Sequence, residues 1–495
     1  MTFRLFNTLS RSVEPIEPAE PNHLRFYGCG PTVYSYAHIG NFRSFLTADL
    51  ILRTAQAIGW ETTYVSNITD VGHLTEDDLA DASGEDKMAK ALKSKEGEAF
   101  ANVYDLARYY ADALIADWHA LNLHEPTVRP RATEHVTQQI DAVEQLLAKG
   151  HAYETENAVY FSVDSFGDYG KLSGNAAADA LEAAVRDVVV DSDKRDPRDF
   201  ALWKKDPKHL MQWYSPFGRG FPGWHIECSV MAREYLGDSF DLHTGGEDLI
   251  FPHHECEIAQ SECLTGQPFA RYWAHTRFLQ VEGEKMSKSK GNFYTLRDLI
   301  APESEGGKDV DPLAVRYTLI SGQYRKPFNF TLKTLKASAK HVQRFQALDE
   351  AVAAALDDPQ PGDDTVGKAL TSIYDRVLGA MLDDLNTPAA LAAALGGVKM
   401  LENRGDLNGA SAEAAKQWLD NVNDLLGIVR PLSPREVVDE VDPMAAEVEA
   451  LIAERNAARK AKDFARADAI RNDLAERGID LMDTPTGTTW SKRTF

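Results

Sequence analysis

Four cysteines in 495 residues, Cys29, Cys228, Cys256 and Cys263, are too few to staple a chain of this size. A disulfide framework is excluded. The thiols are left for burial or metal binding in a reducing compartment, the cytoplasm being the expectation. Long apolar runs are missing too. No stretch reaches the length a bilayer span needs, so no membrane role is expected. The opening residues "MTFRLFNTLSRSVEP" lack the continuous apolar core of a secretory signal, and "FRLFNTL" reads as a first strand. Internal repeats and extended low-complexity tracts are absent. Positive charge is scarce: 53 Lys/Arg stand against 76 Asp/Glu, a net of −23, which runs against a polyanionic partner for the body of the protein. The deficit is uneven. From Leu451 to Phe495 nine Lys/Arg outnumber seven Asp/Glu, leaving +2 there and −25 elsewhere. A basic tail on an acidic body suits local contact with nucleic acid.

What is present is ordinary globular composition, 43% apolar and 26% charged, over a length that suggests about three domains. Residues 24–34, "LRFYGCGPTVY", read as a strand running into a Gly/Pro turn. "HIGNFRSFLTADLILRTAQAIGW" has helical apolar spacing and closes at Gly59; "ETTYVSNITDVG" is a second strand. Strand, helix, strand is the first unit of a parallel α/β sheet. Helical patterns fill roughly 76–149, "AVYFSV" opens a separate insert, and α/β character returns from "FPGWHIECSVMA" to about Asp298. After Asp311 the chain reads helical, with "LDDPQPGDD" and "RPLSPREVVDEVDP" as linkers. A sheet split by an insert gathers distant residues at its carboxyl ends, where ligands bind in such folds. Cys29, Cys228 and the stretch "DLHTGGEDLIFPHHE" can therefore share one site.

That stretch continues as "FPHHECEIAQSEC", holding two histidines, two cysteines and three glutamates. If it is helical, with Pro252 in the first turn, His253 and Glu257 share one face at i, i+4. A helical His/Glu pair plus two thiolates from elsewhere makes a four-ligand zinc set, with Cys29, Cys228, His253 and Glu257 as the candidates. Cys256, at i+3, is a rival. His254 points about a quarter turn away. The plainer alternative is buried thiols beside a helix-surface glutamate.

Two stretches carry phosphate chemistry. "HIGN" (His38 to Asn41) stands at a helix start after a Gly/Pro turn, where free N–H groups face anions, and Gly40 permits close approach of a nucleotide. "EKMSKSKGN" places Lys285, Lys288 and Lys290 on a Ser/Gly-rich stretch that could close on a triphosphate and neutralise developing charge. Taken alone, the first is also compatible with chance and the second with a solvated basic loop.

Together these residues resemble a family. "HIGN" and "KMSKS", one in each half of a split α/β domain, are similar to the paired signatures of class I aminoacyl-tRNA synthetases. The resemblance narrows to the cysteinyl-tRNA synthetases through "CGPTVYSYAHIGN", "NITDVGH", "KRDPRDFALWK", "PGWHIECSVMA", "HTGGEDLIFPHHECEIAQSE", "GEKMSKSKGNF", "YRKPFNFT", "DDLNTP" and the final "ARKAKDFARADAIRNDLAERGIDLMDTPTGTTW". It covers nearly the whole chain.

The resemblance implies an α/β protein: a Rossmann-like parallel-sheet catalytic domain split by an insertion, then a helical bundle and a small C-terminal anticodon-binding domain. The expected limits are 1–130 and 216–300 for the catalytic halves and 131–215 for the insertion. A stem-contact region over 301–344, a bundle over 345–435 and an anticodon domain over 445–495 follow. It implies Zn2+ on Cys29, Cys228, His253 and Glu257, with Cys256 and Cys263 as spectators. It implies ATP with Mg2+, L-cysteine and tRNA(Cys) as partners, and a monomer. His38, Asn41, Lys285 and Lys288 would serve adenylation, and Gly40, Gly245, Gly246 and Asp248 the nucleotide. Gly30, Thr32, Thr69, Trp224 and His243 would line the cysteine pocket. Cysteine differs from serine only by sulfur for oxygen, which an apolar pocket separates poorly. A zinc ion that takes the substrate thiolate would do so without a separate editing domain.

In the tail, Arg455, Arg459, Lys462 and Arg466 fall at i, i+4, i+7 and i+11, one basic stripe if the helix is continuous. Trp490 could stack on an unpaired base or plug a small core. Departures from the family pattern are Asn41 where the class motif has His, Cys256 between two ligands, Phe221 where Arg is usual, and Lys290 where an apolar residue is usual. Rival readings are a ligase that joins activated cysteine to a small amino sugar, a nucleotidyltransferase, and a non-enzymatic zinc or cysteine sensor. The basic tail disfavours the first, and the paired ATP motifs disfavour the last.

Overall fold

In the computed structural model the chain is described over residues 1–72, 86–174, 193–287, 290–357, 363–404, 407–430, 443–460, 463–477, 479–484 and 487–492. The first hairpin pairs β1 (Arg4–Asn7) with β2 (Ser12–Pro15). The predicted strand–helix–strand unit follows as β3 (His23–Gly28), α1 (Ile39–Ala57) and β4 (Glu61–Ser66). α1 stops where Gly59 takes a left-handed φ of 79°, a conformation that costs glycine nothing. Apolar side chains surround α1, from Ile39 and Phe42 to Ile51 and Ala55, so it is a buried helix rather than a surface one.

Helices α2 (Lys87–Leu92), α3 (Val103–Ala120) and α4 (Val136–Ala148) lead to an antiparallel sheet of β5 (Ala152–Glu154), β6 (Ala158–Phe161), β7 (Phe200–Lys204) and β8 (Phe221–Pro222). The chain then returns through α5 (Trp224–Leu236), β9 (Phe240–Gly246), α6 (Glu255–Thr265) and β10 (Ala270–Thr276). β10, β9, β3 and β4 lie in that order in one sheet, all parallel. Cys29 follows the last residue of β3, and Gly245 and Gly246 end β9, so the carboxyl edge collects both halves of the split domain.

Beyond the sheet come β11 (Leu279–Val281), β12 (Glu284–Lys285), α7 (Arg297–Ile300) and α8 (Pro312–Ile320). Next is β13 (Phe328–Phe330), and it corrects the all-helical reading of this stretch. "FNF" has period two, and it pairs in parallel with β11. The helical bundle is α9 (Leu332–Asp357), α10 (Gly367–Leu382), α11 (Thr387–Glu402) and α12 (Gly409–Leu426). Most of both expected linkers lies outside the described residues.

The bundle is tied to α1 by buried charge. Arg316 of α8 donates to Asp49 of α1 (2.6 Å) and to the carbonyls of Leu426 (2.7 Å), Leu121 (3.0 Å) and Asn122 (3.0 Å). Arg53 of α1 donates to Asp49 (2.8 Å) and to the carbonyls of Asp424 (2.9 Å) and Asn122 (2.6 Å). Two guanidinium groups thus cap the carboxyl end of α12, whose last carbonyls have no partner within the helix.

The C-terminal unit is α13 (Pro443–Lys460), α14 (Phe464–Glu476) and the hairpin β14 (Ile479–Thr484) with β15 (Gly487–Lys492). Its small core holds Val448, Ile452, Ile470, Leu474 and Ile479. One expectation fails here. The basic stripe needs a single helix through 455–466, but Asp463 caps a new helix by accepting from the Arg466 N–H (3.1 Å). Arg455 is buried, Arg459 is exposed, and Arg466 pairs with Glu454 (2.6 Å). Lys462 and the Trp490 side chain lie outside the described residues. Among the described residues, no helix is long and apolar enough to cross a membrane.

Candidate active site

The Sγ atoms of Cys29 and Cys228, a ring nitrogen of His253 and a carboxylate oxygen of Glu257 all lie within 4.8 Å of one another, and all four residues are buried. Cys29 comes from the end of β3, Cys228 from α5 and Glu257 from α6. Pro252 is not in the first turn of α6: the helix begins at Glu255, and residues 250–254 form a wide turn with Phe251 extended. The four-residue spacing still works, since His253 Nε2 lies 2.8 Å from Glu257 Oε1.

A second set shares two of these atoms: Cys29, His243, His254 and Glu257. The first set fits a borderline-soft cation better, because it offers two thiolates rather than one. The imidazoles of both sets have polar neighbours, so the softness of the donors is what separates the two. His243 Nε2 lies 2.8 Å from Glu257 Oε2, and His254 Nδ1 lies 2.8 Å from His275 Nε2, whose Nδ1 meets Thr8 Oγ1 at 2.7 Å. His225 Nδ1 sits 2.9 Å from His253 Nδ1, which aims the other nitrogen of His253 into the quartet. His225, His254 and His275 were not picked out as site residues. The signal was there in "GWHIEC" and "PHHE", but only packing shows what these rings touch. His243, expected in the substrate pocket, stands behind the quartet as a support for Glu257.

The charges of the quartet act on one another. Burial pushes the Glu257 carboxyl up, and His243 and His253 more than reverse it, to about 2. Burial draws the His253 imidazole down, and Glu257 and Cys228 override this, lifting it to about 10. Cys29 donates to Cys228, which brings the Cys228 thiol down to about 7 against the pull of burial, while Cys29 is raised by burial. Cys256 belongs to neither set. It packs with the apolar cluster under the insert, its sulfur 3.4 Å from the Tyr169 hydroxyl.

The nucleotide motifs meet at the N-terminus of α1. His38 is the N-cap: its Nδ1 accepts from the Asn41 N–H (3.1 Å), and Asn41 Oδ1 accepts from the His38 N–H (3.1 Å). This reciprocal cap gives Asn41 a structural role and leaves its amide nitrogen for a ligand. Burial lowers His38 to about 4, so the ring is neutral at pH 7, and with Nδ1 accepting its proton sits on Nε2. A Cβ on Gly40 would lie 2.9 Å from the His38 ring and 3.6 Å from Met286 Cε of "KMSKS". Glycine here thus serves the packing of His38 and brings the two motifs together. Lys285 is exposed at the end of β12; Lys288 lies outside the described residues. Lys290 pairs with Glu284 (2.9 Å), which accounts for its charge on the surface.

Thr32 and Thr69 bridge in parallel, and the Gly30 N–H donates to Asn67 Oδ1 (2.8 Å). A Cβ at Gly30 would collide with the Asn67 carbonyl oxygen at 1.7 Å, so no larger residue fits. The Trp224 ring lies 4.4 Å from that of His253. Gly246 ends β9, and exposed Asp248 lies in the short turn that follows.

Comparison with known proteins places the chain in a family. The family model for the class I (C) tRNA synthetase catalytic domain matches residues 15–340, and that for the cysteinyl-tRNA ligase anticodon binding domain matches 442–490. The curated cysteine–tRNA ligase of Salinibacter ruber is 62% identical over 518 aligned positions, covering 99% of this chain and 98% of that protein. The chain belongs to the cysteine–tRNA ligase family. Another cysteine–tRNA ligase, from Rhodospirillum rubrum, is 43% identical over 99% of this chain and 100% of its own. Solved structures place the fold of the family more widely. Methionyl-tRNA synthetase of Mycobacterium tuberculosis aligns over 82% of this chain and 90% of its own, with a TM-score of 0.54 at 16% identity. A leucyl-tRNA synthetase of Agrobacterium radiobacter aligns over 83% and 85%, with a TM-score of 0.59 at 11% identity. At those identities the likeness shows a shared class I fold.

Proposed function

We propose that this chain, as a cytoplasmic monomer, joins L-cysteine to tRNA(Cys) with ATP and Mg2+. The observation that carries the reading is the quartet of Cys29, Cys228, His253 and Glu257 on the same sheet edge as the His38 cap of α1. The quartet would hold Zn2+, whose chemistry when bound is to offer a further position to a thiolate sulfur; a serine hydroxyl is a much poorer ligand.

In the first step the cysteine carboxylate attacks the α-phosphorus of ATP. A P–O bond forms, and the bond to pyrophosphate breaks. Neutral His38 donates from Nε2 to a phosphate oxygen, and the N–H groups at the start of α1 face the same charge. Lys285, with Lys288 beside it in sequence, neutralises the negative charge that builds on the transferring phosphorus. In the second step a terminal ribose hydroxyl of the tRNA attacks the acyl carbon and AMP leaves with the electron pair. Gly30, Thr32, Thr69 and Trp224 line the cysteine side. Gly40, Gly245, Gly246 and Asp248 line the nucleotide side, and His243 holds Glu257 in place.

The division of labour we infer keeps the limits given above: a catalytic domain over 1–130 and 216–300, an insertion over 131–215, a stem-contact region over 301–344, a bundle over 345–435 and an anticodon unit over 445–495. In the last, exposed Arg459 and Arg466 are the better phosphate contacts, and Arg455 belongs to the core.

Transfer of labelled cysteine onto total tRNA, with ATP, Mg2+ and a serine control, tests the reading. Charging with cysteine and not serine is expected. Cysteine-dependent ATP–pyrophosphate exchange without charging would move the acceptor to a small amine, as in the amino-sugar ligase reading.

A further inference from the structure

Phe221, where Arg is the usual residue of the family pattern, lies face to face on the ring of His209, with centroids 3.6 Å apart and planes 12° from parallel. Both residues are buried. His209 Nδ1 faces the Met211 carbonyl at 2.6 Å, and Nε2 faces the Gly72 carbonyl at 2.9 Å, with the Asp86 carboxylate 3.3 Å away. Asp86 is buried as well and caps α2 by accepting the Met88 N–H at 2.8 Å. A Cβ on Gly72 would come within 2.2 Å of Asp86 Oδ1, so the Asp86 carboxylate packs directly on the Gly72 backbone.

This stack fixes the first residue of α2. That residue is Lys87, and its Nζ lies 5.7 Å from the centre of the Trp224 ring. Trp224 in turn rests on His253, a member of the quartet. A half-buried ammonium is thereby stationed at the edge of the pocket proposed for cysteine. Free cysteine brings a carboxylate into that pocket as well as its sulfur. A cation at the pocket edge suits that end, because an ammonium–carboxylate pair away from bulk water is stronger than an exposed one.

We propose that Lys87 is a substrate-binding residue that pairs with the carboxylate of cysteine, seated by the Phe221–His209–Asp86 stack. The inference rests on the cysteine-ligating reading above. It adds a second recognition point: the quartet reads the sulfur, and Lys87 reads the carboxylate.

The test compares two thiols on the full-length, zinc-loaded chain without ATP: L-cysteine, and cysteamine, which lacks the carboxylate. Titration calorimetry on wild type, Lys87→Met and Lys87→Arg gives the affinities. Loss of one charge-assisted pair is expected to weaken cysteine about 10-fold in Lys87→Met. Cysteamine should change less than about twofold, and Lys87→Arg should recover most of the cysteine affinity. Unchanged cysteine affinity in Lys87→Met, or equal weakening of both thiols, overturns the inference while leaving the ligase reading intact. Wild-type protein that binds neither thiol overturns the ligase reading and this inference with it.

Discussion

Replacing Arg316 by methionine should loosen the junction between the catalytic sheet and the helical bundle more than any surface change. Arg316 is fully buried and donates to Asp49 and to the carbonyls of Leu426, Leu121 and Asn122. Methionine fills much of the volume but supplies no donor. The buried carbonyls of Leu426 and Leu121 lose this donor, the Asn122 carbonyl keeps Arg53, and Asp49 keeps only Arg53 as a cation. Breaking one side of a buried ion pair costs roughly 3–5 kcal/mol; with Arg53 still on Asp49 the low end applies, in line with about 1 kcal/mol for each lost hydrogen bond.

The pH dependence has a definite sign. Burial alone would raise the Asp49 carboxyl; Arg53 and Arg316, with the His124 N–H, bring it down to about 2. Burial lowers Arg316 only to about 10, so it stays charged at neutral pH and the pair persists. A depressed carboxylate stabilises the fold above its unfolded value near 4, and that contribution is lost as pH falls through about 2. The whole effect is on the order of 2–3 kcal/mol. A chain of several units does not unfold in two states, so the assay is hydrogen exchange of peptides spanning 121–124 and 423–427. Arg316→Met should lower the local opening free energy at pH 7 by about 3 kcal/mol, with the gap to wild type shrinking toward pH 2. A gap below about 1 kcal/mol at pH 7, or one that widens in acid, would refute the assignment.

Three further outcomes follow from the site. Cys228→Ser should lower bound zinc and cysteine-over-serine selectivity together, read by metal analysis and pyrophosphate exchange; retention of both would remove Cys228 from the quartet. Gly40→Ala should push the His38 ring off its cap, because the new Cβ meets that ring at 2.9 Å. Exchange should then fall by roughly 10²-fold while metal content holds, and unchanged exchange would show that His38 position is not limiting. Arg459→Ala should reduce tRNA charging several-fold and leave adenylate formation intact, whereas equal losses would make Arg459 structural.

The sheet unit was legible in the sequence because local signals agreed: apolar spacing through α1 and a glycine where it had to stop. The quartet was legible for a different reason. Spacing alone left Cys256 as a rival, and the resemblance implied the set; His253 precedes α6, as Pro252 does, yet its ring still lies 2.8 Å from Glu257. What was not legible came from contacts remote in sequence. The three residues of β13 make no strand without β11 to pair with. The continuous basic stripe looked sound until Asp463 used its side chain to cap a second helix, a local choice that spacing alone does not weigh. Phe221 had no account because its partner, His209, is twelve residues away and stacks on it only in the folded sheet. The histidines behind the quartet were visible as letters, but only their distances show that they orient one another.

The central claim is that the quartet reads the substrate through its sulfur. Cobalt(II) exchanged into the full-length chain makes this visible, because cobalt–thiolate bonds absorb in the near ultraviolet and tetrahedral cobalt in the visible. The account predicts bands from two protein thiolates and a rise in thiolate absorption when cysteine is added, with no change on adding serine. Cobalt that binds without thiolate absorption, or a response to serine equal to that for cysteine, would contradict it.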